Sequence, residues 1–393
     1  MIHAPCLPGP SATIGLARLA RQVENRADLA TLIETLGARL AADPEDMGAL
    51  LDTSMLLQLK GKRGDGLELQ AQALSRQHLF ETVHGDGTGL RVLALSAPGD
   101  FTANTPIDFL LEGSNMRVIT AYADPVGTSQ LIVPDHDVAL LAIGESPANA
   151  AMLNALIGPC AAWPRPIVNG QPERIAGLQR DAVAQTFAGE AAILAPETRR
   201  MTREQVEATD LPYPVTIRPT GTQAGAGLAL LCAREDLAAY LEDYGDPAFY
   251  VADFIDYAGA DGLFRKQRIV FIDRVPYISH LAVSEDWIVH YMSAGMAENA
   301  LRRQEEAAFM ASFDTGFARR HAAAFALLCD RIGLDYFGID CGETRDGRLL
   351  LFEVDVAMIV HALEDGPHYA YKKAPMARLF AAFSGLLERR MAG

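Results

Sequence analysis

Three carboxylates near the end of the chain have a spacing that is typical of a divalent-metal site. Asp340 and the pair Glu353 and Asp355 lie in two strand-like segments joined by Asp346-Gly347, a strong hairpin signal. If these two residues form the whole turn, Asp340 pairs with Glu353, and Asp355 lies two residues along on the same face. Like charges among apolar neighbours repel, and a cation that prefers oxygen ligands, magnesium above all, would relieve the repulsion. A solvated edge hairpin is the alternative, and a slip of one residue would turn Asp340 to the other face.

A cationic pair precedes this hairpin in the sequence. Lys266 and Arg268 stand two residues apart in a strand-like segment, so both side chains point to one side of the strand. In a chain whose formal net charge is -16, such a local pair suits an anionic ligand such as a triphosphate or an acyl phosphate. A solvated basic edge is the alternative.

A glycine-rich loop lies between two strand-like runs, which distinguishes it from the phosphate loop that opens a helix. Glycines in such a loop let backbone N–H groups fold over a phosphate without obstruction by side chains. Arg218 ends the strand before the loop, where its cation is placed to meet that phosphate; a flexible turn and a surface arginine are the alternatives. The candidate phosphate-binding residues of the loop are Gly221, Thr222, Gln223, Gly225 and Gly227.

The composition is that of a globular chain with two or three domains. Of the 393 residues, 50% are hydrophobic and 21% are charged, and the negative net charge disfavours a nucleic-acid partner. No apolar run approaches the roughly 20 residues that cross a bilayer, so no membrane association is expected, and the start of the chain does not resemble a signal peptide. Five scattered cysteines without a CxxC pair indicate a reducing compartment and no zinc site. We therefore expect a cytoplasmic protein.

The periodicity of apolar residues divides the chain into three parts. Residues 1–85 are predicted to form an all-α region, helical from 13 to 82, in which 44–78 resembles one tetratricopeptide-like helical pair. A single unit of this kind is expected to dock on the rest of the chain, on a protein or carrier partner, or on a second copy in a homodimer.

The remaining two parts alternate strands and helices. Residues 86–172 predict a small parallel α/β domain without the dinucleotide-binding G-x-G-x-x-G pattern. Residues 173–393 predict a strand-rich unit flanked by helices. The helices expected there cover 175–187, 234–243, 314–332 and 375–391.

The order of these features resembles the ATP-grasp superfamily. A helix with a cation, Arg180, is followed by the strand ending in Arg218, the glycine-rich flap, an acidic hinge strand, the basic strand and the acidic hairpin. Within the superfamily the chain resembles the branch of ribosomal-protein glutamate ligases, in which a Gly-Thr-Gln-x-x-Gly flap occurs. The resemblance covers about 170–385. It implies an α/β chain with an α+β ATP-grasp fold, preceded by the small parallel α/β domain and by the all-α region as an addition.

The resemblance implies a role for each of the charged motifs. Asp340, Glu353 and Asp355 would occupy the magnesium-ligand positions, with Asp355 where an asparagine is usual. Arg218 and Arg180 stand where the family has phosphate-binding lysines. Arginine binds phosphate bidentately but is not interchangeable with lysine.

The resemblance also implies a nucleotide pocket, with ATP and Mg²⁺ as cofactors. The strand that ends in Asp253, Phe254 and Ile255 resembles the hinge that presents backbone groups to adenine. Asp261 would approach the ribose, and Arg268 matches the arginine that faces the phosphates.

The implied chemistry is the ligation of a carboxylate to an amine. ATP would phosphorylate the carboxylate of an amino acid, a peptide or a related small molecule, and an amine would attack the acyl phosphate. Arg218, Arg268 and Lys266 would act as catalytic residues that balance charge on the transferred group. The candidate substrate-binding residues are His280, His290, Tyr291, Arg302 and His361.

Two other hypotheses stay open at this point. One is an ATP-grasp phosphotransferase that leaves a stable phosphorylated product. The other is a pseudoenzyme or protein-docking module in which the ATP site is only regulatory, which the two arginines at lysine positions motivate.

Overall fold

The structure is a mixed α/β chain, as predicted, with helices preceding three β-sheets. It is a computed structural model that describes residues 9–24, 29–123, 133–222, 225–291 and 294–392. Within these ranges, none of the helices combines the length and the apolarity needed to cross a bilayer.

The N-terminal region is helical, but two strands join it to the next sheet. Strands β1 (Ser11–Thr13) and β2 (Leu79–Val83) pair in parallel, so this sheet reaches back across the predicted boundary at residue 85. The expectation of helix as far as residue 82 is therefore wrong, because the last five residues alternate half-buried and buried side chains with the period of a strand. The helices are α1 (Leu16–Glu24), α2 (Leu29–Ala42), α3 (Met47–Leu59) and α4 (Arg63–Leu74). The tetratricopeptide-like character of α3 and α4 stays a prediction.

Six strands form the first sheet, in the order β1-β2-β4-β3-β5-β6. All neighbours pair in parallel except β2 with β4. The central strands are almost wholly buried on both faces, which explains their continuous apolar runs. The further elements are β3 (Arg91–Ser96), α5 (Ile107–Leu110), β4 (Arg117–Tyr122), β5 (Val138–Leu141), α6 (Ala150–Ala161) and β6 (Ile167–Val168).

The second sheet is antiparallel and has the order β10-β9-β11-β8. Because the glycine-rich loop connects β9 to β10, we call it the flap sheet. Two helices cover it and share with it a separate hydrophobic core around Val215, Ile217 and Phe249. Its elements are β8 (Thr198–Thr202), α9 (Arg203–Ala208), β9 (Val215–Pro219), β10 (Ala229–Leu231), α10 (Arg234–Asp243) and β11 (Ala248–Asp253).

The third sheet contains the acidic hairpin, and we call it the hairpin sheet. Its order is β13-β12-β14-β15-β7, and only the β15–β7 pair is parallel. Its strands are β7 (Ile193–Leu194), β12 (Phe264–Ile272), β13 (Val275–Ser284), β14 (Tyr336–Glu343) and β15 (Leu349–Asp355). The helices around it are α7 (Pro172–Ala176), α8 (Arg180–Thr186), α11 (Ala300–Ser312), α12 (Phe317–Arg320), α13 (Ala322–Ile332) and α14 (Ala370–Ala392), the last preceded by a 3-10 turn at Pro367–Tyr369.

The long C-terminal helix α14 fastens the first sheet to the hairpin sheet. Its Leu379 and Phe383 are fully buried in one cluster with Leu140 of β5 and Val270 of β12. The two sheets therefore share a core, whereas the flap sheet packs around its own.

A second link between these two sheets is the buried residue Asn169, which follows β6 with a φ of 54°. Its Oδ1 accepts hydrogen bonds from the backbone N–H groups of Asp335 and Tyr336 over 2.9 and 3.0 Å. Its Nδ2 donates to the carbonyl oxygen of Tyr336 over 2.7 Å. These bonds set the start of β14, the strand that carries Asp340.

We expect Asn169→Ala to lower the free energy of unfolding by about 2–4 kcal/mol. The change leaves buried backbone groups unpaired and puts alanine in a conformation that asparagine tolerates better. Urea denaturation followed by circular dichroism measures the effect. The control is Asn154→Ala, at an exposed position of α6, which should change stability by less than about 1 kcal/mol. Equal stability of the two variants would contradict the assigned role.

Candidate functional site

A cavity of about 600 Å³ lies between the flap sheet and the hairpin sheet. Side chains of β9, β11, α8 and the β14–β15 hairpin line it, together with loop residues of the first sheet. A smaller recess shares Arg180, Glu353 and Asp355 with it and reaches Gly221 and Thr222 of the glycine-rich loop. The volume is in the range of pockets that enclose small-molecule ligands.

The β14–β15 hairpin places Asp340 directly opposite Glu353, as predicted, with Asp355 two residues further along. The register near the turn, however, is not the one that a two-residue turn would give. Near the turn, Glu343 pairs with Leu349, which is one residue out of the expected register. A bulge next to Asp340 inserts one residue into β15 and restores the pairing.

Asp340 is buried and is neutralised by two cations of β12. Arg268 Nε donates to Oδ1 over 2.8 Å and Nη2 donates to Oδ2 over 3.0 Å, while Lys266 Nζ donates to Oδ2 over 3.0 Å. Burial alone would raise the pKa of Asp340, but the charges of Arg268 and Lys266 hold the pKa well below its usual value. Two cations share one carboxylate, so this wall of the cavity keeps a net positive charge.

Glu353 and Asp355 form the other half of the acidic hairpin. Glu353 is held by an ion pair with Arg180 of α8. Asp355 is buried, and its Oδ1 accepts a hydrogen bond from the backbone N–H of Ala357 over 2.9 Å. Burial, and next the charge of Glu353, raise the pKa of Asp355 to about 7. Among the described residues, Asp355 forms no ion pair, whereas Asp340 and Glu353 each do.

The three carboxylates do not converge as one metal-binding group. In the part of the chain that the structure describes, no three His, Cys, Asp or Glu side chains are placed to hold a metal ion. Asp340 turns instead to Lys266 and Arg268, and the metal-binding role expected of all three carboxylates stays a prediction. Glu353 and Asp355 fit magnesium, which commonly takes one or two carboxylates and completes its shell with phosphate oxygens and water.

Arg218 lies at the end of β9, beneath the glycine-rich loop. Its Nε and Nη2 donate to Thr222 Oγ1 over 3.2 and 3.0 Å. The side chain is buried and, among the described residues, forms no ion pair with a carboxylate. Burial and the charge of Arg180 lower the pKa of Arg218 to about 10. A buried cation without an anionic partner is suited to bind an anionic ligand.

The loop above Arg218 depends on its glycines. Gly221, Gly225 and Gly227 have φ angles of 75°, 76° and 67°, a region that other residues rarely adopt. Gly225 lines the cavity, and Gly221 lines the recess. Gln223 lies outside the described residues.

The hinge between the two sheets forms an apolar part of the cavity. Asp253, the last residue of β11 that pairs with β9, lines it together with Phe254 and Ile255, which follow directly. The ring of Phe254 meets Trp287 edge to face, with 5.5 Å between the ring centroids. Such aromatic walls suit a planar base.

Another part of the cavity wall carries His280, His290, Tyr291 and His361. His280 pairs across the strands with Arg268, and its ring centroid lies 4.6 Å from that of Tyr291. Burial and the charge of Arg268 hold the pKa of His280 well below its usual value, so the imidazole is neutral. We call this part of the cavity the substrate end.

Two predicted site residues lie away from the cavity. Asp261 forms an ion pair with Arg265 over 2.7 Å on the surface, and its expected contact with a ribose stays a prediction. Arg302 donates to the carbonyl oxygen of Ala294 over 2.6 Å and to Glu285 over 3.1 Å. These local partners stabilise the start of α11, and the substrate-binding role of Arg302 also stays a prediction.

The sequence analysis missed a buried polar network at the substrate end. Lys372 Nζ donates to Tyr291 OH and to Glu364 Oε1, each over 2.6 Å. Tyr291 OH in turn donates to Glu306 over 3.1 Å. These residues come from separate elements, so no motif could join them. Only the position of Lys372 on the buried face of α14, one turn before Met376, signalled its burial.

Glu145 is a further acid that the sequence did not single out. It follows β5 in the first sheet and lines the recess beside Arg180 and Asp355. Burial raises the pKa of Glu145 to about 7. Its loop position carries no periodicity from which a site could have been predicted.

Comparisons with known proteins give structural likeness only. No protein-family model matches the chain, and no curated protein does. The RimK domain protein ATP-grasp from Sphaerobacter thermophilus DSM 20745 is similar at 17% identity and a TM-score of 0.45, over 76% of this chain and 99% of that chain. The D-alanine–D-alanine ligase from Bacillus anthracis complexed with ATP is similar at 14% identity and a TM-score of 0.45, over 78% and 99%. The VanG D-Ala:D-Ser ligase from Enterococcus faecalis is similar at 11% identity and a TM-score of 0.47, over 76% and 99%.

We expect Asp355→Asn to stabilise the protein at pH 8 by about 2–4 kcal/mol, since each unit of pKa shift corresponds to about 1.4 kcal/mol. Because the pKa of Asp355 is raised to about 7, the folded protein keeps a proton that the unfolded chain has released. Its contribution to stability is therefore lost as the pH rises from about 4 to about 7.

Urea denaturation at pH 5 and at pH 8 measures this effect as the difference between variant and wild type. Asp243→Asn, at an exposed position of α10, is the matched control and should keep the wild-type pH dependence. The assignment fails if Asp355→Asn also keeps it.

Proposed function

We propose that the protein is an ATP- and magnesium-dependent ligase of the ATP-grasp type, which joins a carboxylate to an amine through an acyl phosphate. The proposal rests on one observation. Cationic and acidic side chains from different elements line the same cavity, and this cavity lies between a glycine-rich loop and an apolar hinge. A nucleoside triphosphate with its metal ion is the ligand class that uses both kinds of charge. The cations are Arg180, Arg218, Lys266 and Arg268.

The nucleotide would lie along the cavity from hinge to hairpin. Phe254 and Ile255 would face the base, and the phosphates would lie under the glycine-rich loop. Arg218 would gain there the anionic partner that it lacks among the described residues. Guanidinium groups bind phosphate oxygens through two parallel hydrogen bonds, so arginine at this position is compatible with phosphate binding.

Glu353 and Asp355 would hold magnesium, which would neutralise phosphate charge. Asp355 has the most to gain, because burial and the charge of Glu353 disfavour its ionised form. Arg180 neutralises Glu353 and would turn to the phosphates when the metal binds.

The reaction requires two balanced steps. A substrate carboxylate oxygen attacks the γ-phosphorus of ATP, the bond from that phosphorus to the β,γ-bridging oxygen breaks, and ADP leaves. The amine nitrogen then attacks the acyl carbon, the C–N bond forms, the C–O bond to phosphate breaks, and the proton lost by nitrogen passes to phosphate or water. Arg268 and Lys266 lie where they would stabilise the charge on the transferred group, because Asp340 leaves them one net positive charge.

An amino acid, a peptide or a related small carboxylate is the substrate class that we propose for the other end of the cavity. This end offers imidazole, phenol and carboxylate groups in close proximity, from His280, Tyr291 and Glu364. The imidazole and the phenol can accept and donate hydrogen bonds, and the carboxylate accepts them, so these groups could bind an ammonium or amide group.

We expect Arg218→Ala to weaken Mg-ATP binding about 10- to 100-fold, the loss typical of one hydrogen-bonded charge. Arg218→Lys should retain part of the affinity, because the charge is kept and the bidentate geometry is lost. Isothermal titration calorimetry measures both. Arg234→Ala, an exposed arginine on the flap sheet's α10, should bind like wild type. Wild-type affinity in Arg218→Ala would exclude Arg218 from the phosphate site.

The proposed activity predicts phosphate release from Mg-ATP that depends on a second substrate. We would assay the purified protein against pooled amino acids, dipeptides and small carboxylic acids, and identify products by mass spectrometry. Glu353→Gln should abolish the release, and Asp346→Asn, in the exposed turn of the same hairpin, should not. A joined product with inorganic phosphate supports a ligase, and a phosphorylated product identifies a phosphotransferase. ATP binding without turnover in every pool would favour a regulatory site.

A further inference from the structure

The loop between β3 and α5 lines the cavity and is held by the N-terminal helices. Phe101 and Thr102 of this loop belong to the cavity wall. Two residues earlier, the backbone of Gly99 is bound by the side chain of Gln70 in α4. The N–H of Gly99 donates to Oε1 of Gln70, and the carbonyl oxygen of Gly99 accepts from Nε2 of Gln70, each over 2.8 Å. The N–H of Phe101 donates to Oε1 of Gln58 in α3 over 3.2 Å.

The two glutamines are buried, with exposed fractions of 5% for Gln58 and 3% for Gln70. An apolar side chain at either position would pack two helices without the desolvation cost of a buried amide. Here the side-chain amides form hydrogen bonds with backbone N–H and C=O groups of the loop, which would otherwise lack these partners. Gly99 also has to be glycine, because a Cβ at this position would lie 2.9 Å from the Cβ of Ala103.

An ion pair adds a third attachment to the same loop. Arg63, at the start of α4, donates from Nε to Asp100 Oδ2 over 2.7 Å. The other oxygen of Asp100 accepts from the N–H of Thr102 over 3.0 Å. Asp100 thus connects the helix to a residue of the cavity wall.

The helices also contact a second segment next to the cavity, which follows the acidic hairpin in the chain. Arg21 of α1 donates to the carbonyl oxygen of Ala362 over 3.3 Å, and Leu363 packs against a cluster that contains Ala17 and Ala20 of α1. His361, which lines the cavity, is the preceding residue. Two segments of the cavity wall, the loop at 99–102 and the segment at 361–363, are therefore supported by the N-terminal helices.

We propose that the N-terminal helices position the wall of the substrate end, with Gln58 and Gln70 as positioning residues that determine how the non-nucleotide substrate fits. The proposal rests on the proposed function for the identity of the reaction. The nucleotide end is built by the flap sheet and the hairpin sheet, so loss of the glutamine contacts should leave Mg-ATP binding intact.

Hydrogen–deuterium exchange of the full-length protein tests the contact itself. In Gln70→Ala and in Gln58→Ala, the amides of residues 97–103 should exchange about two- to tenfold faster, the factor expected for one lost hydrogen bond. Gln72→Ala, an exposed glutamine of the same helix, should leave the exchange unchanged. Unchanged exchange in Gln70→Ala and Gln58→Ala would overturn the proposal.

Kinetics test the consequence for the substrate. With the substrate found in the pools, Gln70→Ala should raise the KM for that substrate several-fold, while kcat and the Kd for Mg-ATP stay near the values of Gln72→Ala. A parallel loss of Mg-ATP affinity, or a lower kcat at unchanged KM, would overturn the positioning role. If the wild-type protein shows no substrate-dependent phosphate release, the proposed function fails and the specificity role fails with it. The exchange data then still decide whether the helices hold the loop.

Discussion

Charge compensation between β12 and β14 is the interaction on which the rest of the site depends. Asp340 is buried in a hydrophobic sheet, where a lone carboxylate or a lone cation would cost several kcal/mol. Arg268 binds it bidentately and Lys266 adds a second cation, so each group makes the burial of the others possible. The arrangement leaves a net positive wall, and it separates Asp340 from the two carboxylates that could share a metal ion.

Around this centre the protein keeps two groups that reduce its stability in the absence of ligand. Arg218 is a buried cation without a carboxylate partner in the described part of the chain, and Asp355 is a buried acid beside Glu353. Both conflicts would be relieved by the same ligand, since phosphates would neutralise the arginine and a metal ion the carboxylates. Perturbed groups that meet in one cavity are typical of functional sites. The first sheet and the hairpin sheet share a hydrophobic core with α14, and this core holds the elements of the site in place.

Much of the charged site could be predicted from sequence, because strand parity fixes which side chains share a face. Lys266 and Arg268 point to one side of β12, and Asp340 faces Glu353. The register predicted near the turn was wrong by one residue, and the bulge beside Asp340 offsets this difference. The partner of each charge could not be predicted where it depends on tertiary neighbours: Glu353 of β15 pairs with Arg180 of α8. Lys372 and Glu145 come from elements that meet only in the fold. The N-terminal strands were missed because β1 has three residues and β2 begins soon after the helix α4 ends.

The central claim is that the cavity between the flap sheet and the hairpin sheet binds ATP together with magnesium. Calorimetric titration of ATP into the protein, with Mg²⁺ and with EDTA, tests it most directly. We predict one ATP per chain, bound at least tenfold more tightly with Mg²⁺, and loss of this magnesium effect in Glu353→Gln. Absence of ATP binding, or binding of equal strength with EDTA, would contradict the account.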